Sequence, residues 1–214
     1  GRSLKSYGSY SGLGPEPKVY AVKMPVFSWS KMRVDPVVGP EMKSTGEVMG
    51  IGATLEDALQ KAFTSLGVTG LGAGSGALIT VADRDKPGSL PIARSLQEAG
   101  WNLYATAGTG DYLQMNGVSV STVRKLAEEG GAIPGILETI MEGRVQVVIN
   151  TFTHGGNEAR DGFKIRALSV LRNIPVLTCL ETASALAKVA SAEAQSLKDG
   201  NGHGIMAIQD VEPV

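Results

Sequence analysis

From residue 76 onward, short apolar runs alternate with helix-patterned stretches that stop at glycine, and this alternation is the strongest limit on what the chain can fold into. Residues 77–81 are an apolar run of strand length. Leu90, Ile92, Ala93 and Leu96 then recur at helical spacing until Gly100. Further strands are expected at 103–106, 118–123, 145–150 and 176–178, with 204–210 as an added edge strand. Further helices are expected at 111–115, 133–142, 161–172 and 182–197. Strands that are apolar almost throughout bury both faces, which suits a parallel sheet covered by helices on each side. The expected class is therefore α/β, a parallel-sheet sandwich of Rossmann type. Ligands of such sheets sit beyond the carboxyl ends of the strands. That rule points to residues 80–86, 106–110 and 150–154.

The first third of the chain reads differently. Residues 1–50 are rich in glycine and proline, with strand-like pieces at 19–23 and 26–29 and Pro25 between them, which argues for an edge strand or a break. Nothing here alternates long enough to make its own core, so this segment should lean on another part of the protein. A helix follows, with Thr54 suited to its N-cap, Asp57 to the capping-box position, and Leu55, Ala58, Leu59, Ala62 and Phe63 on one face. Gly67, Gly70, Gly72 and Gly74 then crowd residues 66–75, a linker by composition. The division expected is a small α+β tail over 1–70, a linker over 71–75 and the α/β domain over 76–214. The chain opens on Gly1 rather than methionine and reads as beginning inside a longer protein.

Composition narrows the function classes. Of 214 residues, 43% are hydrophobic and 19% charged, as in soluble globular proteins. A formal net charge of −1 offers no basic excess for nucleic acid or an anionic membrane surface. No apolar stretch approaches the ~20 residues that span a bilayer. Cys179 is the lone cysteine, which favours a reducing compartment and so the cytoplasm. With it stand only His154 and His203, too few for a His/Cys zinc site.

The chemistry concentrates at the strand ends. Thr106-Ala107-Gly108-Thr109-Gly110 leads from a strand toward a helix. Glycines let a ligand approach the backbone, and helix-start amides carry partial positive charge, so the spacing suits phosphate or another anion. It is neither a P-loop nor a dinucleotide fingerprint. A tight turn that binds nothing satisfies the same spacing equally well. Lys86, after the first strand, reaches the same anion if the two strands are neighbours; a solvated charged loop is the plainer reading of 83–86. Arg124 and Lys125 form a second basic pair. Asn150 and Thr151 end the fourth strand ahead of His154, which has no evident catalytic partner. Thr178 and Thr182 flank another strand-to-helix turn, where a capping role suffices.

Two stretches resemble a known family. The run from Asp35 to Gly50, containing Gly39-Pro40-Glu41-Met42 and Ser44-Thr45-Gly46-Glu47-Val48-Met49, resembles the end of the second ATP-grasp half of carbamoyl phosphate synthetase large chains. Residues 76–198 resemble the methylglyoxal-synthase-like domain that ends those chains. The resemblance implies an allosteric region of a glutamine-hydrolysing, ATP-dependent ligase of pyrimidine and arginine biosynthesis. It implies no cofactor in this region itself, with ATP and Mg or Mn used elsewhere in the parent enzyme. The implied partners are the rest of the large chain, a glutamine-amidotransferase small chain and a phosphorylated effector such as UMP, with self-association open. Carried over position by position, the effector contacts are Thr80, Lys86, Thr106, Gly108, Thr109, Lys125, Asn150 and Thr151. Phe152 departs from the threonine often found there.

The same resemblance bears on neighbouring functions. Some members respond to ornithine at a pocket that Thr178 matches; here Met24 replaces its glutamate and Val176 its tyrosine, so no ornithine response is expected. Methylglyoxal synthase and the IMP cyclohydrolase domain share the fold. The former needs an aspartate where this chain has Ile133, leaving Asp161 without an acidic partner. The regulatory region is therefore expected to be non-catalytic.

Overall fold

The computed structural model of the chain describes residues 1–3, 6, 8, 18–32, 46–125, 133–152 and 158–199. Among these, no helix is long and apolar enough to cross a membrane. The expected edge strand at 204–210, His154 and most of the ATP-grasp-like run lie outside the described residues.

The amino-terminal unit is an antiparallel pair, β1 (Tyr20–Val26) and β2 (Gly46–Gly52), with a short α1 (Trp29–Met32) between them. Of the edge and the break that Pro25 argues for, the structure shows the edge. Pro25 pairs with Glu47 inside β1, in a sheet of two strands where its missing N–H can face away from the ladder. Trp29 opens α1 rather than ending a strand, and its ring stacks on Phe27 at 4.7 Å. Helix α2 (Leu55–Ser65) lies across this pair. Thr54 caps it by accepting from the Asp57 N–H at 3.2 Å, as expected. The Asp57 carboxylate, however, turns to Lys61 at 2.9 Å. Strand β2 was not legible from pattern, and the reason is Gly50. A side chain there would collide with the Ala58 carbonyl oxygen, so the strand has a glycine where it would otherwise carry an apolar residue.

The main sheet has five parallel strands: β3 (Gly76–Thr80), β4 (Asn102–Thr106), β5 (Ser121–Val123), β6 (Val147–Asn150) and β7 (Val176–Leu177). Their order is β5-β4-β3-β6-β7. The helices are α3 (Lys86–Glu98), α4 (Ala107–Met115), α5 (Ile136–Met141), α6 (Glu158–Leu171) and α7 (Leu180–Asp199). Alternate strand residues enter opposite cores. Ala77, Ile79, Val147 and Ile149 join the larger cluster with Ile92, Leu96, Leu113 and Leu186. Leu78 and Val148 join the smaller one with Ile136, Ile140 and Ile165. The sheet is thus buried on both faces, and its strands are apolar for that reason. The α/β class holds.

The amino-terminal unit leans on the larger cluster, where Val22 and Met24 pack. The glycine-rich stretch between α2 and β3 is also seated there: Val68 and Leu71 are buried, and the Trp101 indole donates to the Leu71 carbonyl at 3.0 Å. Chain direction reverses at the centre of the sheet. The chain moves outward from β3 through β4 to β5, then returns to lay β6 on the other side of β3. That switch leaves the ends of β3 and β6 side by side, with Thr80 opposite Asn150.

Candidate functional site

A cavity of about 250 Å³ opens at this switch point, close to the lower end of small-molecule sites. Thr80, Lys86, Thr106, Gly108, Thr109, Lys125, Asn150 and Thr151 all line it. Four sequence-distant segments therefore supply one wall system, because parallel pairing brings their carboxyl ends level.

One side is the start of α4. The helix begins at Ala107, four residues earlier than the spacing predicts, so Gly108 and Gly110 occupy its first turn rather than a preceding loop. Glycine weakens a helix by ~1 kcal/mol relative to alanine. Here burial of Thr109, Gly110 and Leu113 offsets it. Thr106 is the N-cap residue, extended at φ −69 and ψ 155, yet makes no side-chain cap hydrogen bond. First-turn amides have no partner within the helix, so this end presents donors and a partial positive charge. Lys86 approaches the same turn from α3, which starts earlier than expected because Pro87 suits a first helical turn. A β-carbon at Gly108 would lie 3.5 Å from the Lys86 Nζ.

The opposite side is the end of β6. Asn150 donates from Nδ2 to the Thr80 carbonyl at 3.2 Å and accepts at Oδ1 from the Arg166 guanidinium at 2.6 Å. The Thr151 hydroxyl accepts from the Ala82 N–H at 2.9 Å, and Arg84 donates to the Phe152 carbonyl at 2.9 Å. These bonds hold the β3 and β6 loops together.

Arg166 was missed by sequence reasoning. It is 4% exposed, lines the cavity and lies over the Phe152 ring at 4.9 Å. Gly162, one turn earlier on α6, makes room for it; a β-carbon there would come within 2.9 Å of its Nη1. The available signal was a charged residue beside Ile165 on the buried side of a helix. Asp83 was also missed as a site residue. Lys86 Nζ bonds its Oδ1 at 2.6 Å. That hydrogen bond and charge, with Lys125 further off, hold the Asp83 carboxyl below the usual range against a small opposing effect of burial. A lowered carboxylate pKa means that the pair contributes above the ordinary value and fades only as pH falls through the lowered one.

The lining cations Lys86, Lys125 and Arg166 outnumber the carboxylates Asp83 and Asp161. Of the basic pair, Lys125 lines the cavity, whereas Arg124 turns toward the Ile133 carbonyl and Glu138. Ile133 is 46% exposed and outside the lining, while Asp161 is within it. Met24 packs with the larger cluster and Val176 with the smaller.

A parallel-sheet sandwich with an anion-suited cavity at its switch point matches a known class. Residues 88–178 fit the family model of the MGS-like domain, and the chain carries such a domain. Over nearly its whole length it is also related to carbamoyl phosphate synthase large chains. It is 42% identical over 204 residues to that of Clostridium botulinum strain Loch Maree / Type A3, covering 95% of this chain and 18% of the relative. The large chain from strain Kyoto / Type A2 is 42% identical over 190 residues, covering 88% and 18% respectively. The chain thus spans less than a fifth of the length of these relatives. Among solved structures, ForH aligns over 59% of this chain and 93% of its own with TM-score 0.37 and 18% identity.

Proposed function

We propose that this chain is the allosteric region of a glutamine-hydrolysing carbamoyl phosphate synthase large chain, and that its cavity holds a phosphorylated effector, a uridine nucleotide such as UMP. The observation that carries this reading is the convergence of Thr80, Lys86, Thr106, Gly108, Thr109, Lys125, Asn150 and Thr151 on one cavity. The effector phosphate would sit between the first turn of α4 and the Lys86 ammonium, where backbone donors and a charge converge. The division into a tail of an ATP-grasp domain, a linker and this domain belongs to the same reading. So do a cytoplasmic setting, partnership with the rest of the large chain and a glutamine-amidotransferase chain, and service to pyrimidine and arginine biosynthesis. ATP and Mg or Mn would act elsewhere in the parent enzyme. An effector needs a coupling of only ~1–3 kcal/mol between sites to regulate.

Titration calorimetry of the chain with UMP, UTP, IMP and ornithine tests this. Saturable heat is expected with a uridine nucleotide and none with ornithine. Absence of binding by any phosphorylated ligand defeats the reading. A second reading, a small phosphate-ester enzyme of the methylglyoxal synthase or IMP cyclohydrolase type, draws support from Asp161 in the lining. The isoleucine at 133 cannot move a proton, which disfavours it. Methylglyoxal formed from dihydroxyacetone phosphate would favour that reading over the regulatory one.

A further inference from the structure

We propose that Asp83 is a built-in competitor at the cavity: its carboxylate occupies the Lys86 ammonium in place of a ligand oxygen, so that an entering anion must displace it. The inference rests on the cavity being an anion site, as proposed above, and adds what holds its affinity down. Three observations support it. First, the contact is close, 2.6 Å between Lys86 Nζ and Asp83 Oδ1. Second, the partners are unequally placed. The Lys86 side chain is 19% exposed and packs toward Gly108, whereas the Asp83 side chain is 93% exposed. The lysine belongs to the cavity, and the carboxylate can swing into water with little loss of packing. Third, Asp83 stands on a 3-10 turn directly before α3, within electrostatic reach of both Lys86 and Lys125. It therefore sits at the cationic end of the cavity.

The consequence is an affinity cost that every entering anion meets. A monoanion that replaces Asp83 on the ammonium exchanges one single charge for another and gains little. A phosphate monoester brings up to two charges and three acceptor oxygens, and so can hold Lys86 and the α4 amides together. An ammonium has three donors, so both anions could share it, but then they repel at short range. In either case the carboxylate lowers anion affinity.

A double-mutant cycle on the chain, read by calorimetry with inorganic phosphate at low ionic strength, tests this. Asp83→Asn is expected to tighten phosphate by about two- to fivefold, the range of an exposed ion pair. The same change made in Lys86→Met is expected to have no effect. The exposed position of Asp83 keeps the loss of thermal stability in Asp83→Asn small, so loss of fold does not confuse the result. Tightening of equal size in both backgrounds overturns the proposal, because the carboxylate would then act through its general charge. So does unchanged or weakened binding in Asp83→Asn while Lys86→Met still weakens it; the anion site itself then stands. If the parent chain binds neither inorganic phosphate nor UMP, the reading of the cavity fails and this inference falls with it.

Discussion

The two sides of the cavity are built from similar residues but used differently. At the β4–α4 junction, Thr106 makes no cap hydrogen bond, and the helix-start donors face the cavity beside Lys86. At the β6 end, Asn150 and Thr151 are already bonded to Thr80, Arg166 and Ala82. A polar side chain lining a cavity is therefore not by itself a ligand contact. The α4 side has donors to offer, whereas on the β6 side both Asn150 and Thr151 are engaged in holding two loops in register. On this view the first side decides affinity, and the second decides shape and stability.

Substitutions can break or sharpen that contrast. The largest effect belongs to Lys86→Ala, which removes a charge-assisted bond and should weaken UMP by roughly 10- to 150-fold in calorimetry, with thermal unfolding little changed. Arg166→Met should do the reverse. It leaves the buried Asn150 oxygen without its donor, so chemical denaturation should show a loss of about 1–3 kcal/mol, while inorganic phosphate affinity stays nearly constant. A strong loss of phosphate affinity without loss of stability would merge the two sides into one. Thr106→Val keeps the shape and deletes a hydroxyl; a drop of about two- to tenfold in UMP affinity is expected, measured the same way. Gly162→Ala should have the smallest effect, a loss in unfolding below that of Arg166→Met, because the Nη1 it crowds can shift enough to lengthen its bond to Asn150 without losing it.

The contrast also explains what could be read from the residues alone. Strand ends were legible because buried parallel strands are apolar until they stop, and the polar residues that follow then mark the ligand edge. Thr80, Thr106 and Asn150 were found that way. Helix starts were harder. Pro87 and Gly108 look like breakers, but both are tolerated in a first turn, so α3 and α4 begin earlier than their apolar spacing suggests. Strand β2 was hidden because Gly50 removes the apolar residue that periodicity needs. Arg166 was hidden for a deeper reason: its value lies in contacts with Asn150 and Phe152, which only the packing of α6 on β6 creates. The resemblance named the cavity residues without distinguishing those that brace from those with donors to spare.

Whether the start of α4 holds the effector phosphate is tested by titrating the isotope-labelled chain with UMP and following backbone amide shifts. Saturable changes are expected to be largest at Gly108 and Thr109, with a matching change at Lys86 and smaller ones at Asn150 and Thr151. Changes that centre on Asn150 to Phe152 and leave the start of α4 unmoved, or no saturable change anywhere, would contradict that placement of the phosphate.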